Sequence, residues 1–138
     1  MDTLRKRNLI NFIKCTDKPI LGICIGMQIL FDYSEENQTR CLGVIDGNIE
    51  KFNVNNGVNV TQMGGNKVEC ESDKNLNGYY YFANSYFNKD SKFTVGYSSY
   101  GNKFSSIIKK DNILGCQFHP EKSSKAGERF LTYFIKSI

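Results

Sequence analysis

A single histidine and one of five cysteines are the side chains in this sequence best suited to covalent chemistry. The cysteine lies in Gly22-Ile23-Cys24-Ile25-Gly26, inside the stretch "KPILGICIGMQILFD" at residues 18–32. The histidine lies in "GCQFHPEKS", where His119, Pro120 and Glu121 are consecutive. A thiol attacks as its thiolate, so it needs a base. Pro120 fixes the backbone between His119 and Glu121. An extended segment then sends both side chains the same way, and the carboxylate can hold one imidazole tautomer. Cys24, His119 and Glu121 thus read as nucleophile, general base and acid, and orienting carboxylate. The competing readings are a small buried hydrophobe for Cys24 and a structural imidazole for His119.

The elements that must position these groups can be read around them. "ILGIC" is a short, β-branched, all-apolar run, as expected of a buried parallel strand. Met27, Leu30 and Phe31 follow at i, i+3, i+4 and predict a helix directly after Cys24. Strand, G-x-C-x-G and helix together form the cysteine version of a nucleophile elbow. In such a turn the flanking glycines allow close packing, the helix N-terminus favours the thiolate, and the Ile25 N–H can face an oxyanion. Upstream, residues 3–14 predict a helix with Leu9, Ile10, Phe12 and Ile13 on one broad face. Asp46-Gly47 inside "LGVIDGNIEKF" predicts a hairpin, and "NVNNGVNV" at 53–60 a loop. "YYYFAN" and "FTVGYSS" predict strands, and "KFSSIIKKDNILGCQF" a second hairpin turning at "KKDN". Residues 125–137 predict a closing helix with Ala126, Phe130 and Phe134 in step. The order of elements is that of a mixed α/β sheet with helices on both faces, without a dividing linker.

The bulk of the sequence narrows the function. Its 138 residues make one domain, with 10 Phe and 8 Tyr to build a core. Eighteen basic residues are scattered among 14 acidic ones for a net charge of +4. No basic stripe interleaves with aromatics, so nucleic acid is not an expected partner. Five cysteines, an odd number without C-x-x-C, suggest neither a disulfide framework nor a zinc site. Reduced thiols in a cytoplasmic setting fit best, with no membrane span, cofactor or metal expected.

"GICIGMQ" together with "FHPE" resembles the class I glutamine amidotransferases, which are Cys-His-Glu glutaminases. The blocks "PILGICIGMQILFDYSEE", "LGVIDGNIEKF", "MGGNKVE", "YYYFANSYF" and "GCQFHPEKSSKAG" occur in order over essentially the whole chain. They are similar to those of the glutaminase subunits of imidazole glycerol phosphate synthases. The resemblance implies a flavodoxin-like amidotransferase sheet over residues 1–138. It implies that Cys24 attacks the side-chain amide of L-glutamine, with His119 and Glu121 completing the triad. It further implies that Gln28 and the backbone around Ser85 and Tyr86 hold the substrate. Ammonia would pass to a barrel-type synthase in a heterodimer, with Lys122 and Tyr86 at positions that couple to that partner. Hydrolase and lyase vocabulary both attach to such pairs.

The chain also departs from the family pattern. There the domain begins with strands and a "PGVG"-type loop that supplies a second oxyanion donor. Here Met1 falls inside the following helix, so the domain reads as N-terminally truncated. A lost donor is worth roughly 3 kcal/mol of transition-state stabilisation. The expectation is a poorly soluble, nearly inactive chain that is a piece of a longer gene, one half of a split gene, or a decayed relative acting only as a binding subunit. In "TQMGGNKVE", tryptophan is usual where Gly65 stands and histidine is frequent at Gln62. Asn84 likewise stands where histidine is common. These changes leave open a partner that amidates surface-sugar or polysaccharide precursors.

Overall fold

Among the described residues, strand β1 (Ile20–Ile23) pairs with β10 (Ile113–Cys116) in parallel, running from Ile20 opposite Ile113 to Ile23 opposite Cys116. All four residues of β10 are buried, as a strand covered on both faces must be. The computed structural model describes residues 1–53, 55 and 57–137. Antiparallel strands extend the sheet from β10: β9 (Asn102–Lys110), β8 (Thr94–Tyr100), β5 (Gln62–Cys70) and β6 (Gly78–Asn84). The expected hairpin between β9 and β10 is present, with Asp111 at φ 50° in its turn. A smaller sheet joins β3 (Thr39–Arg40), β2 (Tyr33–Ser34), β4 (Asn48–Lys51) and β7 (Tyr86–Phe87).

Helices cover both faces, as the order of elements predicts. On one face, α4 (Ser124–Lys136) presses Ala126 and Phe130 onto a cluster that includes Leu114, Cys116 and Phe118. Phe118 stacks on Tyr80 with ring centres 4.0 Å apart and meets the edge of Phe130 at 5.0 Å. The other face packs Met27, Leu30 and Phe31 on Ile108 and Ile113. Met27 belongs to α3 (Ile25–Gln28). Among the described residues, no helix is long and apolar enough to cross a membrane.

Several expectations give way to local competition. The helix over 3–14 is two pieces, α1 (Asp2–Lys6) and α2 (Leu9–Cys15), broken at Asn8, whose φ is 55°. Only Ile10 and Ile13 of its broad face pack inward, and Phe12 stays 55 % exposed. The helix after Cys24 is one turn long. It stops because the Ile29, Leu30 and Phe31 carbonyls accept from the N–H groups of Leu42, Gly43, Val44 and Ile45. The same bonds hold 42–45 out of a strand, so Asp46-Gly47 does not turn a hairpin. Instead the Asp32 carboxylate accepts from the Gly47 N–H at 2.9 Å, and β4 pairs with β2 and β7. Strand β5 was not expected, because Gly64 and Gly65 hide it. The loop expected at 53–60 lies partly outside the described residues, at 54 and 56.

Burial also sets how the fold responds to alkali. The Cys116 thiol is fully buried, and desolvation pushes it well above the ordinary 9.0, helped by the charges of Glu121 and Cys24. Tyr80 is pushed up to about 12, first by burial. Such groups keep their protons in the folded chain after the unfolded chain has released its own. Stability present below the unfolded value is therefore lost as pH rises through it. The melting temperature should fall above pH 9.0, and Cys116→Ala should fall less steeply over the same range. Parallel pH profiles for the two proteins would exclude Cys116 as a contributor.

Candidate active site

Cys24 leaves β1 through a sharp turn. Its N–H makes the last parallel bond, donating to the Cys116 carbonyl at 2.8 Å. Its φ of 52° and ψ of −108° lie outside the regions open to L-residues. Such conformations cost of order 1–3 kcal/mol and persist only where the surroundings impose them. Here the Cys24 carbonyl accepts from the N–H groups of Met27 and Gln28, at 3.1 and 3.2 Å, which ties the turn into α3. Gly22 permits the approach, since a Cβ there would stand 2.7 Å from the Gly26 carbonyl oxygen. A Cβ on Gly26 would meet nothing within 4 Å. The expected need for small residues on both sides therefore holds for Gly22 alone.

His119 is held by its main chain. Its N–H donates to the Tyr81 carbonyl at 2.8 Å, and its carbonyl accepts from Ser123 Oγ at 2.6 Å. Ser123 Oγ accepts in turn from the Tyr81 N–H at 2.9 Å. Pro120 opens a single 3₁₀ turn, Pro120–Lys122, and Gly127 lets α4 close on it, because any Cβ at 127 would overlap the Pro120 carbonyl. The result is a 2.7 Å contact between His119 Nδ1 and Glu121 Oε1, the pairing that the His-Pro-Glu spacing predicts. Burial opposes ionisation of Glu121. The hydrogen bond from His119, the residue's own N–H and the nearby charges outweigh it and hold the carboxyl below its usual range.

Cys24 opens into a cavity of about 210 Å³ lined also by Ile25, Gln28, Ser85 and Tyr86, all expected site residues, and by Glu36 and Asn84. A larger hollow of about 620 Å³ lies between residues 73–76 and α4, but it holds neither thiol nor imidazole. Gln28 is buried and donates its Nε2 to the Tyr86 carbonyl and to Gln117 Oε1, each at 2.9 Å. Lys122 is solvent-exposed with its ammonium 5.6 Å from the Tyr81 ring centre. Burial and the helix N-terminus act on the Cys24 thiol in opposite senses, the N–H of Ile25 favouring the thiolate as expected. Desolvation raises the Cys24 thiol above its ordinary value, and the opposing hydrogen bonds from the Ile25 N–H and Gln117 do not overcome it.

Gln117 escaped the sequence reading. Its Nε2 lies 3.6 Å from Cys24 Sγ, and its side chain is fully buried. The available signal was an amide inside the otherwise apolar run "ILGCQF".

The family described as "Glutamine amidotransferase class-I" matches residues 4–137. The chain belongs to the class I glutamine amidotransferases. An "Imidazole glycerol phosphate synthase subunit HisH 2" from Campylobacter jejuni strain RM1221 is 45 % identical over 141 residues, spanning 100 % of this chain and 72 % of the relative. An "Imidazole glycerol phosphate synthase subunit HisH" from Escherichia coli strain K12 is 38 % identical over 143 residues, spanning 99 % and 72 %. A crystal structure titled as a glutamine amidotransferase shares the fold at a TM-score of 0.71 and 17 % identity, over 96 % of this chain and 69 % of its own. A glutamine amidotransferase from Thermotoga maritima does so at 0.60 and 18 %, over 96 % and 54 %. The amidotransferase fold thus accounts for the mixed sheet and its elbow.

The two glycines of the elbow should behave differently. Gly22→Ala should destabilise the chain by about 1–3 kcal/mol, because the new methyl meets backbone that cannot swing away. Gly26→Ala should be neutral or gain up to about 1 kcal/mol from helix propensity. Denaturant unfolding of both variants measures the difference, and equal midpoints would contradict the close approach at Gly22.

Proposed function

We propose that this chain is the glutaminase subunit of an imidazole glycerol phosphate synthase, releasing ammonia from L-glutamine for a barrel-type synthase partner in histidine biosynthesis. The observation that carries this reading is the 45 % identity over the full chain to a subunit of that name. The strained Cys24 elbow and the 2.7 Å His119–Glu121 contact supply matching chemistry.

The reaction follows from the groups present. His119 takes the thiol proton as sulfur attacks the glutamine side-chain carbonyl carbon. The Ile25 N–H faces the oxyanion that forms. His119 then gives its proton to the leaving nitrogen, the C–N bond breaks, and ammonia departs from a glutamyl thioester. Water, deprotonated by His119, attacks the thioester carbon. The C–S bond breaks, glutamate leaves, and sulfur recovers its proton. Glu121 holds the imidazole tautomer whose Nε2 does this work. Gln28 and the backbone of Ser85 and Tyr86 hold the substrate in the cavity they share with Cys24. Hydrolysis of an amide is the chain's own step, so the term lyase does not describe it.

The partner would dock near Lys122 and Tyr86 to form a cytoplasmic heterodimer. A second reading, amidation of a surface-sugar or polysaccharide precursor, draws on Gly65. Nothing lies within 4 Å of where its Cβ would stand, and the large anchor usual in histidine-pathway subunits is absent. Co-purification with barrel-type synthases of the same genome separates the two readings.

Glutamate release, measured with the partner present, tests the mechanism. Cys24→Ala and His119→Ala should each abolish it. Glu121→Gln should retain on the order of 10²-fold more activity than either, as orienting carboxylates do in comparable triads. Normal turnover by His119→Ala would refute the assignment.

A further inference from the structure

A chain of carboxamides runs through the sheet to the nucleophile. Asn66 donates its Nδ2 to the Ser99 carbonyl at 2.8 Å and to Gln62 Oε1 at 2.7 Å. Gln62 Nε2 donates to Asn84 Oδ1 at 3.0 Å, and Asn84 Nδ2 donates to the Tyr86 carbonyl at 3.0 Å. From the other side, Gln28 Nε2 donates to the same Tyr86 carbonyl and to Gln117 Oε1. Gln117 Nε2 points at Cys24 Sγ.

A carboxamide can present either of its ends, which are nearly alike in shape. What decides its orientation is a neighbour limited to one role. Main-chain carbonyls only accept, so Tyr86 requires the nitrogen of Gln28. That nitrogen then requires the oxygen of Gln117, and the Gln117 nitrogen is left facing the sulfur. The outer amides are ordered the same way, by Ser99 at one end and Tyr86 at the other. They fill the second lone pair of the Tyr86 carbonyl and hold it in place.

We propose that Gln117 is a positioning residue for Cys24, locked by Gln28 and the Tyr86 carbonyl so that its Nε2–H always faces Sγ. The sulfur has lost much of its water on burial, and this fixed donor takes the place of one water molecule. A donor aimed at sulfur favours the thiolate over the thiol, since charged acceptors bind hydrogen more strongly. It thereby offsets part of the desolvation that raises the thiol. Gln117 does not line the cavity onto which Cys24 opens, and its role needs no proton of its own.

The inference rests on Cys24 being the nucleophile. Iodoacetamide labelling reads the thiol itself, so it separates a failure of this inference from a failure of the glutaminase reading. The full chain is alkylated over a range of pH, and the Cys24 peptide is quantified by mass spectrometry with exposed Cys15 as the internal reference. In Gln117→Leu, labelling of Cys24 should slow about tenfold or more near neutral pH, the effect of losing a hydrogen bond to a charged group. It should converge on the unmodified rate as pH rises, over the range in which circular dichroism shows both proteins folded. Gln117→Glu keeps the shape but replaces the donor with a carboxylate, and should be slower still near neutrality. An unchanged rate in either variant near neutral pH overturns the proposal. So does slowing by one constant factor at every pH, because that marks a change of access and not of ionisation. Should Gln117→Leu fail to fold, the near-isosteric Gln117→Glu decides alone by the same criteria.

Discussion

The bond from the Cys24 N–H to the Cys116 carbonyl is the constraint on which the site depends. It closes the parallel pairing of β1 with β10 and brings the carboxyl ends of two distant segments side by side. One end turns into the elbow and the other runs on through Gln117 and Phe118 to His119. A slip of β10 by one residue in this register would invert its faces. Cys116 would leave the apolar cluster, and Gln117 would leave the nucleophile. The packing enforces the register from both sides, with Met27 against Ile108 and Ile113 on one face and Phe118 between Tyr80 and Phe130 on the other. Catalytic placement and core packing are therefore one interaction seen at two scales.

The parts of this arrangement that were legible in the sequence are those where residue type and spacing leave few options. A thiol between a β-branched run and Gly26, and an imidazole held by proline beside a carboxylate, identify their own surroundings. The β9–β10 hairpin is legible because its turn residues tolerate the conformation its geometry demands. What was not legible depends on competition between distant segments. Leu42–Ile45 capture the carbonyls that would have extended α3, and a promising Asp-Gly turn is consumed in that exchange. Gly64 and Gly65 disguise β5, whose strand character comes from partners on both sides. The Ile25 N–H that favours the Cys24 thiolate was legible as a helix terminus, whereas the opposing loss of water around sulfur is set by distant segments.

Burial and hydrogen bonding act in opposition across the site. Glu121 is half-exposed, and its bond to His119 prevails, so it stays ionised. Cys24 is more enclosed, and desolvation prevails despite two donors. The same surroundings thus shift two acids on neighbouring segments in opposite directions.

The upward shift of the Cys24 thiol has a bearing on its reaction with oxidants. Peroxides attack the thiolate, and the ladder from sulfenic to sulfonic acid begins there. Sulfur that holds its proton until a base removes it is a poor entry point to that ladder, although Cys24 opens onto a cavity. The burial that shapes the elbow therefore also lowers the share of its sulfur present as thiolate and open to oxidation at a given pH.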